Sequence, residues 1–123
     1  MSGHRSKRAL VIDDDNHIRE LLQTLLETAG FAVDLMRDGI DAVDLREHDY
    51  AVILLDMKMP IMSGREFVEE YRRAQPSPAP IVVVSAADDA QVRAAEVGAS
   101  GWIAKPFDPD VLVEKVMRLL PRP

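Results

Sequence analysis

The chain has 123 residues, of which 47% are hydrophobic and 29% are charged, and its formal net charge is −6 at pH 7. This length predicts a single domain over residues 1–123 with one substantial core. No apolar run approaches the roughly 18 residues that span a bilayer, and the basic leader 1–7 precedes a strand and acids rather than the apolar segment of a signal peptide. The acidic balance argues against direct binding of nucleic acid. The chain contains no cysteine, which excludes disulfides and thiolate metal sites and fits a cytoplasmic location.

Strand-like and helix-like segments alternate five times along the chain. Apolar or alternating runs predict strands at Arg8–Ile12, Phe31–Met36, Ala51–Leu55, Ile81–Val84 and Trp102–Ala104. Apolar residues at helical spacing predict helices from Ile18 to Ala29, from Asp38 to about His48, from Ser63 through Tyr71, from Asp88 to Val97 and from Asp108 to Leu120. This alternation predicts a parallel sheet that is covered by helices on both faces, with right-handed crossovers.

Polar side chains stand at the carboxyl ends of four predicted strands. Asp13 and Asp14 follow the first strand, and Asp56 follows the third. Ser85 follows the fourth strand and Lys105 the fifth. We expect these groups at one edge of the sheet, because open α/β sheets collect ligands and chemistry at the carboxyl ends of their strands. Carboxylate oxygens are the ligands that Mg²⁺ prefers, and a carboxylate can attack phosphorus to give an aspartyl phosphate. The pattern therefore indicates phosphoryl chemistry assisted by a divalent cation.

Four segments carry a resemblance to a known family: LVIDDD, VILLDMKMP followed by Gly64, IVVVSA, and GASGWIAKPF. With these segments the whole chain resembles a receiver domain of a two-component response regulator, and most of all the stand-alone, chemotaxis-regulator type. Together the segments cover every strand end that carries a candidate site residue. The resemblance implies a flavodoxin-like (βα)5 fold, a doubly wound parallel five-stranded sheet with strand order 2-1-3-4-5.

The resemblance also implies the roles of the acidic residues. Asp56 is the expected acceptor of a phosphoryl group from the phosphohistidine of a histidine kinase or a histidine phosphotransfer protein. Asp14 is expected to ligate Mg²⁺, which Mn²⁺ can replace, with Asp13 acting mainly through water. Asp56 itself and the backbone carbonyl of Lys58 complete the implied ligand set, whereas Asp15 is expected to start a helix cap.

The remaining strand-end residues receive their roles from the same resemblance. Ser85 is expected to hydrogen-bond the phosphoryl group, Lys105 to pair with its oxygens, and the Lys105–Pro106 bond to be cis. Trp102 occupies the position of the family's switch aromatic, which turns inward when Ser85 moves; the alternative is that Trp102 simply fills the core. The switch would repack the surface of the fourth helix, fifth strand and fifth helix, which a downstream protein then binds. We expect a monomer or a phosphorylation-dependent dimer.

Two other functions compete with this interpretation. A phosphohydrolase of the haloacid-dehalogenase group would need a second acid two residues after Asp56, where Lys58 stands. A degenerate receiver would bind partners without being phosphorylated, although every acidic residue is present. Under the leading interpretation the chain is no metabolic enzyme and catalyses only its own phosphorylation and dephosphorylation. The ammonium group of Lys58 either contacts the phosphoryl group and alters its hydrolysis or stays in solvent.

Overall fold

The sheet has the predicted topology. The computed structural model describes residues 7–37, 49–57, 64–75, 77–86 and 88–120. Five strands, all parallel, lie in the order β2-β1-β3-β4-β5. They are β1 (Arg8–Ile12), β2 (Ala32–Met36), β3 (Val52–Leu55), β4 (Ile81–Ala86) and β5 (Gly101–Lys105). The last two strands are longer than predicted, because the pairing of β4 with β5 continues from Val82↔Gly101 to Ala86↔Lys105.

Four helices lie within the described residues. They are α1 (Asn16–Thr28), α2 (Gly64–Ala74), α3 (Ala90–Val97) and α4 (Pro109–Arg118). The helix predicted from Asp38 to about His48 falls outside the described residues, so α2, α3 and α4 are the predicted third, fourth and fifth helices. None of the helices in the described part of the chain is long and apolar enough to cross a membrane.

The helix ends follow from local sequence chemistry. The side chain of Asp15 accepts hydrogen bonds from the backbone N–H groups of His17 and Ile18 and so caps the start of α1. The bond from Ile18 is the main cause that lowers the pKa of the Asp15 carboxyl below its ordinary value. Asp108 caps α4, with proline at the first helical position. Gly98 ends α3 with φ of 62°, a left-handed conformation that favours glycine.

The two faces of the sheet carry separate apolar cores. Along β1, Leu10 and Ile12 belong to the core on the α2–α3 side, whereas Ala9 and Val11 belong to the core on the α1–α4 side. All four residues of β3 are buried, because this central strand is covered on both faces. The residues that follow β1 and β3 therefore leave strands that are buried in the core.

Candidate functional site at the carboxyl edge of the sheet

The end of β1 places a buried carboxylate at the edge of the sheet. Asp13 is only 1% exposed, and its backbone N–H donates to the carbonyl oxygen of Met36 at 3.0 Å. One carboxylate oxygen of Asp13 accepts the backbone N–H of Asp15 at 2.9 Å. Asp14, between them, is exposed. The carboxylate of Asp13 is therefore buried in the protein, whereas that of Asp14 is exposed to solvent.

The end of β3 brings Asp56 beside these acids. The backbone N–H of Asp56 donates to the carbonyl oxygen of Ile12 at 2.8 Å, so the two central strands remain joined up to the point where the acids begin. Asp56 is 6% exposed. Carboxylate oxygens of Asp13, Asp14 and Asp56 all lie within 4.8 Å of one another. The prediction that these three residues meet at one edge is confirmed.

Lys105 supplies the positive charge of this cluster. Its ammonium nitrogen lies 3.0 Å from Oδ2 of Asp13 and 4.0 Å from Oδ2 of Asp56. The Lys105–Pro106 peptide bond is cis, as predicted. The ammonium group thus pairs more closely with Asp13 than with Asp56, and it lies within reach of both.

Ser85 occupies the neighbouring strand. It is 2% exposed and pairs in register with Ala104, the residue before Lys105. Because paired residues of adjacent strands point to the same face and side chains alternate along a strand, Ser85, Ala104 and Trp102 share one face of the sheet. Ala104, which is paired with Ser85 and lies two residues after Trp102 on β5, carries only a methyl group.

The donor set of this edge fits Mg²⁺. Three carboxylates offer hard oxygen ligands, and the exposed side of Asp14 leaves room for the water molecules that Mg²⁺ usually retains. Within the described residues, three negative side chains lie near the ammonium group of Lys105, and a divalent cation would neutralise part of their charge. Lys58, whose carbonyl was predicted as a further ligand, lies outside the described residues.

The start of α2 fixes the chain that leaves the site. The backbone N–H of Gly64 donates to the carbonyl oxygen of Met57 at 3.3 Å. A Cβ atom at Gly64 would lie 2.8 Å from Cα of Met57, closer than side chains pack against backbone. Glycine at this position therefore lets the first turn of α2 approach the residue next to Asp56.

Comparison with known families identifies the domain that carries this acidic site. The family model of the response regulator receiver domain matches residues 9–117. The chain belongs to this family. Receiver domains are phosphorylated on an aspartate in a Mg²⁺-dependent manner, bind the cation through an acidic cluster, and interact with histidine kinases and downstream effectors. These comparisons do not favour the degenerate receiver.

Individual relatives agree with this assignment. The receiver domain is 33% identical over 115 residues to the transcriptional regulatory protein CpxR homolog of Haemophilus influenzae, covering 94% of this chain and 51% of that protein. The chain thus spans about half the length of the curated relatives it matches. It is also similar to the chemotaxis protein CheY4 of Vibrio cholerae, with 30% identity, a TM-score of 0.73, and coverage of 92% of this chain and 98% of that one. The BeF3-activated receiver domain of DrrB is 25% identical, with a TM-score of 0.79 and coverage of 91% and 95%.

Trp102 lies at the surface of the receiver domain. Its exposed fraction is 38%, so it does not fill the core. The ammonium group of Lys115 on α4 lies 5.3 Å from the centre of the indole ring and donates to the carbonyl oxygen of Trp102 at 3.0 Å. Together with Ser100, Gly101 and Leu119, among others, these two residues line a surface cavity of about 310 Å³. This cavity and the contact with Lys115 accommodate the indole ring in its outward position.

Sequence reasoning missed two basic residues that contact the site or the switch position. Arg19 of α1 donates to the carbonyl oxygen of Asp13 at 2.7 Å. Lys115 contacts the indole ring and the backbone carbonyl of Trp102. For Arg19 a signal exists: it lies one turn into the helix that follows the acidic strand end. For Lys115 no pattern in the sequence indicates that its side chain crosses to the edge strand.

Proposed function

We propose that Asp56 is the phosphoacceptor of this receiver domain and takes its phosphoryl group from the phosphohistidine of a histidine kinase or of a histidine phosphotransfer protein. The observation that carries this proposal is the placement of the buried Asp56 carboxylate. It lies within 4.8 Å of the two other acids and 4.0 Å from the ammonium group of Lys105. Of the three acids, Asp56 alone follows the fully buried central strand β3.

The residues of the site divide the work of phosphoryl transfer. An oxygen of Asp56 attacks phosphorus, the bond from phosphorus to the donor nitrogen breaks, and the nitrogen keeps the electron pair. Lys105 is placed to neutralise charge on the phosphoryl oxygens, and the buried Ser85 hydroxyl to donate a hydrogen bond to one of them. Mg²⁺, held by Asp13, Asp14, Asp56 and the carbonyl of Lys58, would supply further neutralisation. The domain catalyses its own phosphorylation and the hydrolysis of its aspartyl phosphate, and it turns over no metabolite.

The switch proposal rests on the face that Ser85 shares with Trp102. When Ser85 moves toward a phosphoryl group it vacates volume, and the small Ala104 leaves a path for the indole to turn inward from its exposed position. Such a movement would change the surface formed by α3, β5 and α4, where Val92 and Met117 are also exposed apolar side chains. We propose that a downstream protein binds this surface, and that the domain is a monomer or dimerises when phosphorylated.

The test uses the fluorescence of Trp102, the single tryptophan of the chain. Mg²⁺ and then beryllofluoride, which mimics a phosphoryl group, are titrated into the wild type and into Asp56→Asn. We expect a response to Mg²⁺ followed by a second response to beryllofluoride that Asp56→Asn lacks. A parallel assay measures incorporation of phosphate from a small phosphodonor. No response to Mg²⁺ and no incorporation in the wild type would contradict the proposal and indicate an interaction domain that works without phosphorylation.

A further inference from the structure

Arg19 of α1 contacts the backbone of Asp13 and so attaches the acidic cluster to this helix. We propose that Arg19 is a positioning residue: it fixes the peptide between Asp13 and Asp14 and thereby makes the cluster selective for a small divalent cation, Mg²⁺ over Ca²⁺. This inference rests on the metal site of the proposed function.

Arg19 bridges the end of the strand and the start of the helix. One nitrogen of its guanidinium group donates to the carbonyl oxygen of Asp13 at 2.7 Å. The other terminal nitrogen donates to the side-chain oxygen of Asn16, the first residue of α1. The side chain is only partly exposed. The guanidinium group therefore ties the acidic turn to the first turn of α1.

The other contacts of Asp13 leave this carbonyl to Arg19. The backbone N–H of Asp13 is held by β2, and its two carboxylate oxygens by the N–H of Asp15 and by Lys105. The carbonyl oxygen belongs to the peptide that leads into Asp14. Because that peptide is planar, fixing its carbonyl also fixes the direction in which the backbone enters Asp14. Arg19 thus holds the peptide before Asp14, while the bond from the N–H of Asp15 to Asp13 holds the peptide after it, and the position of the exposed Asp14 carboxylate depends on both.

Only arginine can make both contacts at once. Its planar guanidinium group presents donors in a fixed fork, whereas a lysine ammonium is a compact point charge on a flexible stem. Lysine at this position would keep the positive charge near the acids but would lose the bridge between Asp13 and Asn16. Charge and geometry can therefore be separated by one conservative substitution.

The ratio of the affinities for Mg²⁺ and Ca²⁺ reports how well the ligand oxygens are positioned. Mg²⁺ demands near-ideal octahedral coordination with oxygens at about 2.0–2.1 Å, whereas Ca²⁺ accepts about 2.3–2.6 Å and irregular arrangements. A cluster whose Asp14 carboxylate is less well positioned loses more affinity for Mg²⁺ than for Ca²⁺. A change of charge alone acts on both divalent cations in the same direction.

The experiment compares the affinities of Arg19→Lys and wild type for Mg²⁺ and for Ca²⁺, each measured by NMR titration of backbone amides. The matched control is Arg73→Lys, an exposed arginine on α2 that pairs with Glu70. We expect Arg19→Lys to weaken Mg²⁺ binding about tenfold and Ca²⁺ binding by about threefold or less, and we expect no change in the control. Asn16→Ala, which removes the second anchor of Arg19 without changing charge, should shift the ratio in the same direction by less.

Each alternative gives a different result. If Arg19 acts only through its charge, Arg19→Lys binds both cations as the wild type does and Arg19→Met binds both more tightly. If it only stabilises the fold, its variants unfold more easily, but the ratio of the two affinities is unchanged. Either result overturns the positioning role while the metal site stands. A wild type that binds neither cation overturns the metal site and this inference with it.

Discussion

Near the amino-terminal ends of the strands, Asp34 accepts hydrogen bonds from Arg8 and from the hydroxyl of Tyr50, at 2.9 and 2.8 Å. At the carboxyl ends, Asp13, Asp14 and Asp56 lie close together, and the ammonium group of Lys105 pairs with Asp13 and Asp56. Both groups of residues join β1 to its neighbours. Within the described residues, the named contacts of the first group join one acid to one base and one neutral donor, whereas those of the second place three acids near one ammonium group.

This difference separates a structural network from a functional one. Balanced charges with complete hydrogen bonds stabilise the fold under all conditions in which they stay ionised. Three carboxylates close together repel one another, and this repulsion destabilises the folded protein. Binding of a cation at the carboxyl edge would relieve this repulsion and stabilise the protein. No such stabilisation is expected at the network around Asp34. Three substitutions test this contrast, and they are given from the largest expected effect to the smallest.

Asp34→Ala should have the largest effect. It removes the ion pair with Arg8 and leaves the hydroxyl of the buried Tyr50 without this acceptor. We expect the free energy of unfolding to fall by about 2 kcal/mol, mostly from the hydroxyl, since the Arg8–Asp34 pair is partly exposed. Urea unfolding measures it. Glu69→Ala, in an exposed pair with Arg65 at 4.0 Å, is the control and should cost less than about 0.5 kcal/mol. Equal effects of the two substitutions would show that the network is not stabilising.

Asp56→Asn should change stability in the opposite direction. It removes one negative charge from the acidic cluster and keeps the size of the side chain. In the absence of Mg²⁺ we expect the free energy of unfolding to rise by about 1 kcal/mol, because repulsion from the neighbouring acids is relieved. Added Mg²⁺ should stabilise the wild type and reduce the difference. Urea unfolding with a chelator and with Mg²⁺ measures both effects, and a variant less stable than wild type under chelation would contradict the excess of charge.

Much of the site follows from the sequence because topology determines it. Apolar runs such as that before Asp56 identify the central strands, and a parallel sheet then brings their carboxyl ends together. The meeting of Asp13, Asp14 and Asp56 needs no knowledge of side-chain conformations. The cap by Asp15 is equally local, because it depends on backbone groups two and three residues away.

Other features depend on side-chain conformation and long-range packing, which sequence patterns do not specify. The preference of Lys105 for Asp13 over Asp56, the reach of Arg19 to a backbone carbonyl, and the contact of Lys115 with Trp102 are of this kind. The network around Asp34 was missed for a related reason. Its members lie on three separate segments, and the strand that carries Asp34 has only a weak apolar pattern.

Tyr50→Phe should have the smallest effect, and one that depends on pH. Burial, and then the hydrogen bond to Asp34, raise the pKa of the Tyr50 hydroxyl above its ordinary value of 10.0. The unfolded chain therefore releases this proton at lower pH than the folded protein, so the stabilisation is fully present below pH 10 and is lost as pH rises toward the raised value. At neutral pH we expect the substitution to cost about 0.5 kcal/mol, the lower end of the range for one hydrogen bond, since Asp34 keeps its bond to Arg8. As pH rises above 10 the wild type should lose stability faster than the variant, because phenylalanine has no proton to release. Urea unfolding of both proteins from pH 7 to pH 11 measures this, and a difference that stays constant with pH would show that the hydroxyl is not protected by the network.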